Sequence, residues 1–431
     1  MILIDAGYDA GKKIHGRKRH LNMDMLGPVL RVLVTSAGLP EREGAKKVLQ
    51  RVHQTGHQVK LLKLSKIMLK NRINSFDGLR GIAILLVVIY HSQNTIKFDS
   101  DIWNILSIFI ANSSLGVRIF FVLSGYLITR ILLKEINETG VINLKRFHVR
   151  RAIRLFPNLY CFVGVVFLIN VIANLNITPQ DFISASTFTW NYFGVFAAIA
   201  NEKLGGTWFF GHLWTLALEE QFYLLWPLFL LFLNKKYLRK FSLCLVLSMP
   251  IVRVASYFLF PVTRGYLNMM LHTSIDSIMA GCFMAILTQS PIYSNRISKI
   301  KASSIAMLVT WLVFISPILD YLIGGYLISI GITLNVICLG ILIVWIHNNP
   351  NSYLSKLLSN PILVYIGQIS YSIYIWQQLF LTDQNTTITG IFPYNIGFSI
   401  LAGMVAYYLI EKPTFNLKDN SKILSNLGLG K

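Results

Sequence analysis

Cysteine is scarce in this chain. Cys161, Cys244, Cys282 and Cys338 each lie in an apolar stretch, and no CxxC pair occurs. That apolar setting argues against a thiolate metal cluster or a disulfide frame, so the sequence predicts buried, inert thiols. Charge is scarce as well: 14% of side chains are Asp, Glu, Lys or Arg, against 54% hydrophobic. That excludes a soluble domain of this length, which needs far more polar surface. Acids are the rarest charges, 19 Asp+Glu beside 40 Lys+Arg. There is no HExxH and no close His/Asp cluster, so no metal is implied. No secretory signal pattern opens the chain, whose first 70 residues are polar and basic.

What is present is a succession of long apolar segments behind a basic leader. Residues 1–72 hold 15 Lys/Arg against 5 Asp/Glu, a balance of +10, so +11 of the formal +21 falls on residues 73–431. The second share is spread over short loops, the Lys/Arg pattern that sets membrane orientation. The composition changes near residue 73, predicting a basic segment 1–72, a membrane domain 73–415 and a cytoplasmic tail 416–431.

The leader contains Gly7 to Leu21 with its clusters Lys12-Lys13 and Arg17-Lys18-Arg19, then Met23 to Val34 and Glu41 to Lys46. These strings resemble an internal piece of DDE insertion-sequence transposases over residues 1–60. The rest of a nuclease domain is missing, so the resemblance implies a fused, non-functional fragment with no nucleic-acid partner. Met68 is then the expected ancestral start.

Crossing ~30 Å of hydrocarbon takes about 20 apolar residues. Segments near 78–95, 115–133, 156–174, 213–233, 241–260, 270–289, 303–321, 325–347, 361–381 and 393–411 qualify. The more polar stretch 182–199 is expected to be interfacial or re-entrant. With that stretch not spanning, the basic links all fall on one side. The expectation is an all-α polytopic bundle of about ten transmembrane helices with both termini cytoplasmic.

Arg80 and His91 lie in the first apolar segment. An arginine and an imidazole are costly in lipid, which makes them candidates for a buried or water-lined site. Eleven helical steps of ~1.5 Å put His91 about 16 Å deeper than Arg80, three turns on and on nearly the same face. An imidazole can take a proton from a hydroxyl nucleophile or carry an acyl group itself, and spacing does not separate these roles. Arg80 can equally snorkel to headgroups.

Four strings occur in order: Arg80 with His91; Gly116-Val-Arg-Ile-Phe-Phe-Val-Leu-Ser-Gly-Tyr126; Arg146-Phe-His-Val-Arg-Arg-Ala-Ile-Arg-Leu-Phe-Pro157; and Leu213-Trp-Thr-Leu-Ala-Leu-Glu-Glu-Gln-Phe-Tyr223. Together they resemble the acyltransferase-3 family of membrane proteins over residues 75–412. The resemblance implies O-acylation of bacterial cell-surface or secreted saccharides in the inner (cytoplasmic) membrane. Acyl-CoA, acetyl-CoA in the first instance, is the implied co-substrate, with no bound cofactor. A saccharide or lipid-linked saccharide is the implied acceptor, with membrane lipid as a further partner. His91 takes the essential role, with Glu219 or Glu220 expected to fix its tautomer or to pair with Arg118.

Arg80, Arg150, Arg151 and Arg154 are the expected donor-binding residues, since guanidinium forks suit CoA phosphates. The same arginines can instead set topology and meet anionic lipid. Gln221 and Tyr223 can hydrogen-bond a sugar, and Ser124 beside Gly125 permits close helix approach. Two positions depart from the family pattern: Arg118 stands where an acid is frequent, and Gln377 where many members carry His. Gln377 cannot act as a base and receives no catalytic role. His148, His212, His272 and His347 are expected to be ordinary hydrogen-bonded histidines. A membrane transporter or exporter is the alternative, since buried polar residues also suit translocation.

Overall fold

The computed structural model describes residues 17–23, 29–36, 73–96, 100–200, 207–382, 385 and 387–414. The chain divides into two units, Met1–Arg72 and Ile73–Lys431. In the first, strands β1 (Arg17–Met23) and β2 (Val29–Ser36) pair antiparallel with Arg17 opposite Ser36. The rest of the transposase-like string, Met68 and the tail 416–431 lie outside the described residues.

Helix is the regular secondary structure of the described residues of the second unit. Seven stretches are long and apolar enough to cross a membrane: Asn74–Thr95, Asp101–Thr139, Leu144–Ala173, Trp208–Phe232, Lys235–Leu259, Ala302–Leu322 and Leu327–Asn348. The helices used below are α1 (Asn74–Ser92), α2 (Asp101–Ile110), α3 (Ser113–Thr139), α4 (Leu144–Ala173), α5 (Pro179–Ser186), α6 (Trp190–Ala200), α7 (Thr207–Gly211), α8 (Trp214–Phe232), α9 (Lys235–Leu259), α10 (Leu271–Ser274), α11 (Asp276–Leu287), α12 (Ile332–Asn348), α13 (Pro361–Gln368), α14 (Ser370–Trp376) and α15 (Tyr394–Ala406). This is an all-α polytopic membrane bundle.

Ten apolar segments were expected to span. Three of them are helical but short or interrupted: α10 with α11, α13 with α14, and α15 with its extension to Glu411. The stretch 182–199 falls in α5 and α6, of 8 and 11 residues. Eleven residues rise only about 16 Å, too little to cross the hydrocarbon alone.

Local chemistry accounts for the helix ends. The Asn112 side chain caps α3 by accepting from Leu115 N at 2.9 Å, and Gly140 closes it at φ 80°. Asn143 caps α4 through Arg146 N at 2.9 Å. The basic link expected over Lys134–Arg154 is therefore mostly helix. Arg and Lys are good helix formers, so α3 and α4 continue beyond their apolar runs.

Close backbone approach sets helix positions. A Cβ on Gly81 would stand 2.3 Å from Leu363 O, and one on Gly367 would stand 1.7 Å from Asp77 O, so α1 and α13 touch backbone to backbone. Gly125 and Gly281 do the same for α3 and α11, each facing a carbonyl at 2.0 Å. Ile172 on α4, Phe232 on α8 and Ile251 on α9 point outward and are mostly exposed, as side chains facing lipid are. Cys161 and Cys244 share that outer surface, which corrects the expectation of four buried thiols; Cys282 alone is fully buried. Apolar context in a membrane segment does not distinguish a core position from a lipid-facing one.

Candidate active site

His91 sits in the last turn of α1, where the helix opens onto a cavity of about 1030 Å³. Its imidazole is half-buried, and Nδ1 has no hydrogen-bond partner among the described residues. Trp208 on α7 meets the ring edge-to-face at 6.4 Å and is anchored by donating from Nε1 to Gln378 O at 2.8 Å. Gln377, fully buried, presents its amide to the imidazole.

His212 lines the same cavity, 3% exposed, with neither ring nitrogen hydrogen-bonded in good geometry among the described residues. Two aromatic rings fix it edge-on, Phe162 at 5.7 Å and Tyr374 at 5.2 Å. The Tyr374 hydroxyl donates to the His212 carbonyl and shares a 2.7 Å bond with the Thr215 hydroxyl. The expectation of an ordinary hydrogen-bonded histidine holds for His347, which Arg130 reaches, and for His272, which Tyr192 reaches at 3.0 Å. It fails for His212, neither of whose ring nitrogens has a hydrogen-bond partner among the described residues. Two imidazoles on one cavity form a pair able to accept and pass a proton, with the Trp208 indole packed against one of them.

A second polar cluster lies beside this one. Arg151 on α4 donates from Nε and Nη2 to one oxygen of Glu220 at 3.1 and 2.7 Å. The same guanidinium lies over the Tyr223 ring, 3.4 Å from its centre. Glu219 and Tyr223 both reach Ser124 on α3, and Glu219 interacts with Arg151 and Arg154. Neither Glu219 nor Glu220 lines the His91 cavity.

The expected pairing of a carboxylate with Arg118 is corrected. Arg118 donates from Nη1 to Ser277 Oγ at 3.1 Å, and its charged neighbours are Asp276 and Arg253. Ser124 faces Glu219 and Tyr223 instead. It lies six residues from Arg118, about 9 Å along α3, so one carboxylate cannot serve both.

Other expected site residues are engaged structurally. Arg80 pairs with Asp77 at 3.0 Å within α1 and does not line the cavity. Gln221 exchanges amide hydrogen bonds with Asn191 at 2.9 and 3.0 Å and donates to Phe188 O, tying α6 to α8. Arg150 is half-buried and Arg154 exposed on α4.

Spacing did not reveal Arg253 and Asp276, both fully buried and joined Nη1 to Oδ2 at 2.8 Å. Thr333 accepts from Arg253 and donates to Asp276 at 2.7 Å, while the carbonyls of Ile328 and Thr273 take two more guanidinium bonds. A signal existed: each is an isolated charge in an apolar segment, the property that marked Arg80 and His91. Trp208, Tyr374 and His212 carried no comparable signal, because their sites are made by contacts between α1, α7, α8 and α14.

A family model described as "Acyltransferase domain" matches residues 73–411. Among curated relatives, Peptidoglycan O-acetyltransferase OatA of Listeria monocytogenes is 32% identical over 359 residues, covering 79% of this chain and 54% of that protein. O-acetyltransferase OatA of Staphylococcus aureus is 29% identical over 381 residues, covering 81% of this chain and 58% of that protein. The chain thus spans between half and three-fifths of the length of these relatives. No solved structure matches it.

Proposed function

The chain belongs to the acyltransferase family whose domain covers residues 73–411, and from that membership we propose that it moves an acyl group, acetyl in the first instance, from acyl-CoA to a hydroxyl of a cell-surface or secreted saccharide. The bacterial cytoplasmic membrane is its place of action, with both termini in the cytoplasm. The observation that carries this reading is His91 on a membrane-embedded cavity, its Nδ1 unpartnered beside Trp208 and His212. Relatives whose printed activity is O-acetyl transfer, one of them to peptidoglycan, support the substrate class.

The reaction is a displacement at a thioester. His91 takes the proton of the sugar hydroxyl as its oxygen bonds to the acyl carbon. Collapse of the tetrahedral adduct breaks the carbon–sulfur bond, and the proton held by His91 goes to the departing CoA sulfur. A covalent acyl-imidazole relay uses the same residue in two steps. Arg150, Arg151 and Arg154 are assigned to the donor on the cytoplasmic side, with Arg80 at the same end of α1. Glu220 holds Arg151 in place, with the Tyr223 ring beneath its guanidinium.

The test is His91→Ala in the full chain reconstituted with acetyl-CoA and a glycan acceptor. Transfer is expected to fall by roughly 10²–10⁴-fold with normal membrane insertion. Transfer at the wild-type rate would remove His91 from the chemistry.

A further inference from the structure

We propose that Arg118 is an anion receptor in the His91 cavity, and that the acyl acceptor carries a carboxylate. The proposal rests on the transfer reading and names the chemical class of its acceptor. Arg118 is 3% exposed and lines the same cavity as His91. Of its five N–H donors, one is used in a hydrogen bond among the described residues, Nη1 to Ser277 Oγ at 3.1 Å. Nε is buried with no partner. A buried guanidinium with idle donors is costly unless something supplies acceptors.

The neighbouring acid does not meet this need. Asp276 is held at Oδ2 by Arg253 at 2.8 Å and Thr333 at 2.7 Å, and Ser277 donates to its Oδ1 at 3.4 Å. Two guanidinium groups therefore share one carboxylate, leaving a positive charge beside the cavity. Asp320 stands at the exposed rim of the cavity and forms no ion pair with Arg118. With Nη1 committed to Ser277, the Nε–Nη2 edge remains, and that edge matches the two oxygens of a carboxylate. Asn112, Ser113, Ser114 and Asn268 line the same cavity, groups that suit the hydroxyls of a saccharide.

The experiment compares two acceptors that differ in charge alone. Peptidoglycan glycan strands stripped of peptide by an amidase carry free lactyl carboxylates; the same strands after amidation of those carboxylates are neutral. The full chain in lipid nanodiscs is given radiolabelled acetyl-CoA, and acetyl transfer and thiol release are followed together. Wild type is expected to show a KM at least about tenfold lower for the acidic strands. Arg118→Gln is expected to erase that difference by raising the acidic-strand KM alone, and Arg118→Lys to keep part of it.

Equal KM values in wild type overturn the proposal whatever becomes of the variants. A rise in the acetyl-CoA KM in Arg118→Gln also overturns it, assigning the anion to a donor phosphate. Transfer to neither strand with continuing His91-dependent thiol release overturns the carboxylate while sparing the transfer reading. Absence of thiol release in wild type sinks the transfer reading, and the proposal with it.

Discussion

Arg151 grips a single oxygen of Glu220 through both Nε and Nη2, at 3.1 and 2.7 Å, and so joins α4 to α8. Glu220→Ala removes the acceptor and leaves the guanidinium over the Tyr223 ring without its counter-charge. A loss of about 1.5–3 kcal/mol is expected for a hydrogen bond to a charged group. Thermal unfolding in detergent measures it, and the pair Arg151→Met with Glu220→Leu is expected to recover much of the loss. An additive double variant would show that the two residues do not act together.

The Arg253–Asp276 pair belongs to a drier environment, with both side chains at 0% exposure. Breaking a buried pair by removing one partner costs roughly 3–5 kcal/mol, because the other charge stays behind. Asp276→Leu alone is expected to lower the melting temperature sharply, and Arg253→Met with Asp276→Leu to restore it. Since Arg118 shares Asp276 through Ser277, the single variant is also expected to change acceptor KM.

His212→Phe keeps the edge-on packing against Phe162 and Tyr374 and removes both ring nitrogens. A histidine that assists proton transfer predicts a fall in kcat of at least about tenfold with insertion and melting unchanged. A purely packing role predicts unaltered turnover, so steady-state kinetics beside a melting curve decides.

Gly367→Ala places a methyl group where 1.7 Å separates it from Asp77 O. The α1–α13 contact must open, at a cost of about 1–3 kcal/mol for overpacking. Because α1 carries His91, transfer is expected to drop together with stability. Wild-type activity in a destabilised variant would separate the two helices' contact from the site.

Deleting residues 1–67 removes most of the unit Met1–Arg72 and none of the membrane domain. Membrane insertion and acyl transfer are both expected to persist, measured in membranes from cells expressing the shortened chain. Loss of transfer with intact insertion would assign the basic segment a working role.

Much of the fold was legible in advance. Apolar run length places the helical segments, although three of the ten expected spans are short or interrupted. Of the site, His91 was legible because a lone imidazole in a membrane-length helix stands out by its cost. Glu219 and Glu220 were legible as important but not as to partner. Adjacent residues on a helix point about 100° apart, and spacing within α8 does not say which neighbour each one meets.

The sequence by itself determined the class of molecule, the helical segments and the first catalytic candidate, because hydropathy, capping and the cost of burying charge act within a few turns of one chain segment. Tertiary structure alone decided that Glu220 belongs to Arg151, that Arg118 turns to Ser277 while keeping Nε idle, and that His212 shares a cavity with His91. Those outcomes depend on the rotation and stagger of helices against one another. Contacts such as Gly81 of α1 against α13 and Gly125 of α3 against α11 set these offsets, and no periodicity within a single helix contains them.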